Sequence, residues 1–406
     1  MKLIYIHQYF KFPDKRGGTR SYDLSKKFVQ NNHDVIVITS TTQKIGKGWK
    51  IYRREDIEVH EIYVAYENNF SKFRRIISFV KFLFFSTLHL LKLKGDIVLA
   101  TSTPLTIGIP ALINKWITKT PYIFEVRDVW PEAVIAVGAI RNKFIQKILY
   151  KLEFIIYKYS SQIVPLSVDM QKSIVERYPQ FKNKTNVVIE NISEIDRFQN
   201  NNETINLKEI LGFEPRFSIL YAGTFGKVNG INQVIEWAEL IYLIDPTICF
   251  ILFGEGAEKN NVIDLAKEKG LLNKNVFILD SISKNELPKW YNSVSMGSSF
   301  VVEIKELWAN SANKFFDTLA ASKPILINHE GWQADIIRKN KMGYILPYKP
   351  TKLGAEEFVE FTKSKDIEII SQNALICAKN NFSLEIANEK YNKIINNVQK
   401  LPKTTF

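Results

Sequence analysis

Short apolar runs alternate with segments of helical spacing from one end of the chain to the other, which is the pattern of a doubly wound α/β protein. In the first half, 3–6, 35–39, 97–100, 122–126, 163–166 and 187–189 read as buried strands. In the second half, 218–222, 248–253, 276–279, 294–301 and 324–328 repeat the pattern. Ser283-Lys284-Asn285-Glu286 reads as a capping box opening a helix through Trp290 and Tyr291. Between the halves lies a polar stretch, 193–206, with Gln199-Asn200-Asn201-Asn202 at its centre, read as a linker or surface loop. From Leu384 onwards, Ile386, Tyr391, Ile394, Ile395 and Val398 recur at helical spacing. The expected organisation is a Rossmann-like domain over 1–195, a second over 196–383, and a terminal helix, 384–406, packing back on the first domain. Two such domains facing a central cleft would bind ligands at the carboxyl ends of their strands.

The length of 406 residues supports this division, being too long for one core. With 46% apolar residues there is material for both domains. Two cysteines, Cys249 and Cys377, make no disulfide framework and lack metal-ligand spacing, which fits a reducing, cytoplasmic setting. The N-terminal run reads as a first strand rather than a signal peptide.

A net charge of +13 suits nucleic acid, an anionic membrane or polyphosphate ligands, so the position of the cations has to decide. They are dispersed, and no nucleic-acid module is visible, so nucleic acid is not expected as a partner. Two segments, 73–94 and 143–158, mix aromatic and aliphatic residues with lysines at helical spacing. Neither is apolar enough to span a bilayer. Each fits a core-packed helix with solvated lysines; together they point to peripheral contact with the inner face of the cytoplasmic membrane.

The candidate chemistry sits at strand ends. Arg16-Gly17-Gly18-Thr19-Arg20 follows the first strand, and two glycines before a helix allow a close approach to an anion; a tight turn explains the same letters. After the strand at 218–222 comes Gly223-Thr224-Phe225-Gly226-Lys227-Val228-Asn229-Gly230, and Phe253-Gly254-Glu255-Gly256 ends the next. Glycine loops on neighbouring strands, with Lys227 among them, suggest a nucleotide lying across the sheet. A helix beginning at Asn313 would aim backbone amides and Lys314 at a phosphate, with Asp317 one turn inside; a plain amphipathic helix with solvated Lys and Asp remains open. Glu125-Val126-Arg127-Asp128-Val129-Trp130-Pro131-Glu132 brings three carboxylates and an arginine to another strand end, beside a Trp able to stack on a sugar. The alternative there is a structural Arg127–Asp128 or Arg127–Glu132 pair.

Taken together, these elements resemble the retaining glycosyltransferases of the two-Rossmann-domain (GT-B) class, family 4. Gly17-Gly18-Thr19, the Asp128-Val129-Trp130-Pro131-Glu132 element, the 223–230 loop, Phe253-Gly254-Glu255-Gly256 and Asn310 to Asp317 carry the likeness over nearly the whole chain. The last of these and the Asp-Val-Trp-Pro-Glu element resemble a branch building bacterial capsule, O-antigen and exopolysaccharide units. The resemblance implies a nucleoside diphosphate sugar donor, UDP-linked by family habit and often carrying an N-acetylated or deoxy sugar. It also implies a lipid-linked or other saccharide acceptor, and no metal or other cofactor. Gly17, Gly18, Thr19, Gly223, Thr224, Lys227, Gly254, Asn313, Lys314 and Asp317 become the donor-binding candidates. Asp128, Glu132, Arg127, Lys227 and Lys314 become the catalytic ones.

The chain departs from the family where its paired glutamates would fall, at Ala309 and Asp317, and where its loop Arg and Lys would fall, at Thr224 and Asn229. Lys227 and Lys314 are therefore expected to carry the diphosphate charge, and Asp317 to hold the ribose hydroxyls. Competing readings are a nucleotide-sugar 2-epimerase of the same fold and a non-enzymatic membrane-surface scaffold.

Overall fold

A computed structural model describes residues 1–65, 70, 72–102 and 104–400; among 72–92, the side chains at 72, 73, 75 and 76 lie outside the described residues, as do 401–406 of the terminal segment. The chain forms two compact units: residues 1–12, 19–190 and 385–406, and residues 13–18 with 191–384.

The first unit is built on a seven-stranded sheet. Its strands are β1 (Lys2–Ile6), β2 (Asp34–Thr41), β3 (Trp49–Arg54), β4 (Ile57–Tyr63), β5 (Ile97–Thr101), β6 (Tyr122–Val126) and β7 (Gln162–Pro165), in the order β3-β4-β2-β1-β5-β6-β7. All pairings are parallel except β3 with β4. β1, β5 and β6 are almost wholly buried, as parallel strands covered on both faces must be. Isoleucines of β1 and β2 pack with Phe82, Leu90, Ala111, Ile156 and Tyr157 from the helices Lys72–Lys92, Gly108–Thr118 and Lys143–Tyr159. Among the described residues, no helix is long and apolar enough to cross a membrane.

The hairpin β3–β4 is absent from the sequence reading. β3 is an edge strand of largely exposed, partly cationic residues, so it carries no apolar run, and the turn is made by Glu55 and Asp56 at φ 52° and 60° rather than by glycine. The expected strand at 187–189 does not form. Its carbonyls are taken by side chains instead: Lys390 Nζ donates to Val188 O at 3.0 Å and an Arg20 guanidinium N–H to Ile189 O at 3.0 Å.

The second unit holds six parallel strands: β8 (Phe217–Ala222), β9 (Ile248–Phe253), β10 (Val276–Leu279), β11 (Met296–Ser299), β12 (Ile325–Ile327) and β13 (Gly343–Ile345), ordered β10-β9-β8-β11-β12-β13. The three-residue β13 also escaped the sequence reading. The capping box does not operate. The helix Leu287–Ser293 starts after Glu286 with no side-chain cap, and Lys284 is drawn instead into an ion pair with Asp317. The polar stretch 193–206 is more ordered than a linker: it contains the helix Ile195–Gln199, buries Phe198 against Tyr291, and straps onto the helix Asn313–Ala320 through Ser193 Oγ to Phe316 O.

Candidate functional site

In the second unit, the loops after β8 and β9 lie on one another. Gly223 N donates to Phe253 O at 2.9 Å, Phe225 N to Glu255 O at 2.9 Å and Gly254 N to Leu279 O at 3.2 Å. A Cβ at Gly254 would stand 2.2 Å from Gly223 O. Close approach of backbone to backbone thus accounts for Gly254, and these three amides are bonded within the unit. Thr224 and Lys227 are exposed at the outer end of the loop.

The helix Asn313–Ala320 does begin where expected, after Ala312. Asn313 has a structural task, accepting from Asn191 Nδ2 at 2.6 Å through its Oδ1. Gly18, from the 13–18 segment, approaches so closely that a Cβ there would overlap the Asn313 amide, and Gly17 sits at φ 122°.

Lys314 differs from every other predicted cation of this unit. It is buried, its ammonium lies 5.0 Å from the centre of the Tyr221 ring, and its Cε comes within 3.2 Å of where a Cβ on Gly223 would be. Burial pushes its pKa down to about 8, against a partial upward pull from Asp317. Asp317 does not present an open carboxylate, contrary to expectation. Its Oδ1 accepts from Lys284 Nζ, with both side chains buried, and burial raises its pKa while Lys284 opposes the rise.

The sequence reading missed two partners here. Lys284 was assigned to a cap. His329, directly after the residue that follows β12, is buried with Nδ1 bonded to Glu330 O at 2.8 Å and no hydrogen-bond partner at Nε2 among the described residues. Burial lowers its pKa against an upward pull from Glu330, and the nearby Lys314 charge is a lesser downward influence. Its position at a strand end was the available signal.

At the strand ends of the first unit, Arg127 Nη1 donates to His7 Nε2 at 3.3 Å, and Ser102 Oγ accepts from Arg127 N at 2.8 Å. Burial, then Arg127 and Lys11, hold His7 well below the ordinary imidazole range, so His7 is neutral and accepts. Asp128 is half-buried. Glu132 is paired with Arg177 rather than with Arg127: it accepts from Arg177 and from Ser173 Oγ, while Arg177 also reaches Glu153 at 3.0 Å. Trp130 packs against the apolar core of the sheet.

Thr19 precedes the helix Arg20–Gln30 and is buried. The residue beside it proves more consequential than the glycines: the buried Arg20 guanidinium lies 3.3 Å from Glu125, whose carboxylate also accepts from Thr101 Oγ1 at 2.7 Å and from Tyr391 Oη. Burial opposes the Glu125 charge, but Arg20 and then Arg127 outweigh it and hold the carboxyl below its usual value. This network leaves Glu125 a structural anion.

Residues 203–374 match the family described as glycosyl transferases group 1. Over 377 residues, 91% of this chain and 92% of the other, the protein is 22% identical to the capsular polysaccharide biosynthesis glycosyltransferase CapM of Staphylococcus aureus. It is also 22% identical over 218 residues to spore coat protein SA of Bacillus subtilis (strain 168), a match spanning 51% of this chain and 56% of that protein. These findings support a glycosyltransferase. The two-domain architecture is that of solved GT-B structures. The Anabaena protein HepE in complex with UDP-glucose superposes with a TM-score of 0.71 at 14% identity, covering 99% of this chain and 100% of that one.

Proposed function

We propose that the protein transfers a sugar from a nucleoside diphosphate sugar, UDP-linked, to a lipid-linked saccharide in bacterial surface polysaccharide assembly. The observation that carries this reading is Lys314, a buried ammonium beside Gly223 with its charge raised in cost by burial, within the segment matching glycosyl transferases group 1. A cation so placed gains most when an anion arrives, and a departing diphosphate is an anion. The similarity to CapM favours a polysaccharide setting, and HepE with UDP-glucose favours a uridine nucleotide.

In the proposed reaction the anomeric C–O bond to the diphosphate breaks and a new C–O bond forms to the acceptor oxygen with retention. The acceptor proton passes to the departing phosphate oxygen. Lys314 neutralises that oxygen without a bound metal, and exposed Lys227 contributes from the loop. Asp128 and Arg127 are assigned to the acceptor side. Glu132, held by Arg177, is assigned to positioning, and Asp317 reaches ribose hydroxyls only by exchanging Lys284 for them. An N-acetylated or deoxy-amino sugar is the proposed cargo.

Thermal denaturation with UDP, GDP, ADP and their sugar conjugates tests the reading, because a ligand that binds only the folded state raises the melting temperature. The expected result is a rise with uridine nucleotides that Lys314→Gln abolishes; no rise with any nucleotide would sink the proposal.

A further inference from the structure

Two buried side chains of the second unit each keep a polar atom with no hydrogen-bond partner among the described residues: His329 at Nε2 and Gln333 at Oε1. Both stand in the surroundings of Lys314, whose charge acts on the His329 ring. What the rest of each side chain touches decides the chemistry of the open atom. His329 Nδ1 meets Glu330 O at 2.8 Å, and a carbonyl oxygen only accepts, so in the neutral ring Nδ1 carries the proton and Nε2 is a lone pair. Gln333 Nε2 donates to Asn310 O at 3.3 Å, which fixes the orientation of the amide and leaves Oε1 as its open end. The same carbonyl accepts from Trp332 Nε1 at 2.9 Å, so the start of the helix Trp332–Asn340 is pinned to the segment just ahead of Lys314.

The Gln333 amide draws the His329 pKa upward, which sets the two side chains close together, but burial prevails and keeps the ring neutral. Two lone pairs cannot bond one another. Buried acceptors are seldom left unpaired, so this pair calls for an O–H or N–H donor. An ionised diphosphate offers neither, whereas a nucleoside diphosphate sugar offers them at both of its ends. The order of the sheet separates those ends. Lys284, paired with Asp317 on the side assigned to ribose, follows β10; His329 follows β12, and β9, β8 and β11 lie between. With the diphosphate at Lys314, the ribose and the transferred sugar fall to opposite sides of it.

We propose that His329 Nε2 and Gln333 Oε1 together accept from one hydroxyl or acetamido N–H of the transferred sugar, so that this pair selects the sugar while Lys314 holds the diphosphate. The inference rests on the nucleotide-sugar reading given above.

Calorimetric titration of the full chain with UDP, UDP-glucose, UDP-galactose, UDP-N-acetylglucosamine and UDP-N-acetylgalactosamine tests it. The affinities of the four conjugates are expected to differ. His329→Asn keeps an amide near the Nδ1 position to serve Glu330 O and removes Nε2, so the tightest conjugate should bind it about tenfold more weakly while UDP binds as it does to the parent. His329→Gln returns an acceptor towards the Nε2 position and should recover most of that loss. Gln333→Met should repeat the His329→Asn pattern, and far-ultraviolet circular dichroism of each variant would show that it is folded. The proposal is overturned if the four conjugates bind alike, if His329→Asn weakens UDP as much as the tightest conjugate, or if His329→Gln binds no better than His329→Asn. Each of those results leaves the nucleotide-sugar reading standing. Absence of binding by UDP and by all four conjugates overturns both. Lys314→Gln should weaken UDP and the conjugates alike, which tells a lost diphosphate contact from a lost sugar contact.

Discussion

Lys314 and Asp317 are three residues apart on one helix, yet burial acts on them with opposite signs. Lys314 binds its proton less tightly folded than unfolded, its pKa falling from 10.5 to about 8. The unfolded chain therefore holds more protons between those values, so this residue's burial cost shrinks as pH rises from 8 to 10.5 and stability increases over that window. Nucleotide affinity should run the other way. If the ammonium holds the donor diphosphate as proposed, UDP should bind progressively more weakly as pH passes through 8; calorimetric titration at several pH values would show it, and Lys314→Gln should flatten the profile. Asp317 depends on Lys284. Lys284→Met leaves a buried carboxylate unpaired and should cost about 3–5 kcal/mol in urea denaturation, whereas Lys284→Met/Asp317→Leu should recover most of that loss. If charge neutralisation at the donor rests on lysine, transfer activity should persist in EDTA.

At the scale of elements, the buried parallel strands were plain in the sequence because both faces of β1, β5, β6, β8 and β9 are covered and each reads as an unbroken apolar run. What escaped had other causes. β3 is an edge with exposed cations, β13 has three residues, and 187–189 is apolar yet gives its carbonyls to Arg20 and Lys390. The candidate site was legible as letters but not as partners: Lys314 was recognisable, whereas Lys284 finds Asp317 across 33 positions and Arg20 finds Glu125 across 105. The glycine loops were legible in the letters, whereas the close packing of one loop on the other was not. Since Gly254 exists to let the loop after β9 rest on Gly223, Gly254→Ala should destabilise the fold by about 1–3 kcal/mol through overpacking. A variant that melts as the parent does would disprove the stacking account.

On the scale of the molecule, the path of the chain matters more than any single contact. The first unit is made from three separate stretches, the last of them beginning at residue 385 within the helix Leu384–Lys400, whose Tyr391 donates to the buried Glu125. Tyr391→Phe removes one donor from a buried carboxylate and should cost about 1–3 kcal/mol. That loss should appear in denaturation followed by probes in the first unit. Hydrogen exchange would show it as faster exchange in β1 and β6, which flank the network.

Because Tyr391 follows the whole of 191–384 in the chain, a ribosome delivers the second unit's residues before it delivers the last donor to Glu125. The nascent first unit therefore waits with a buried anion one partner short until nearly all of the described chain has emerged. A stalled chain ending before residue 385 should accordingly give a protease-resistant second unit beside a first unit that is still open to cleavage.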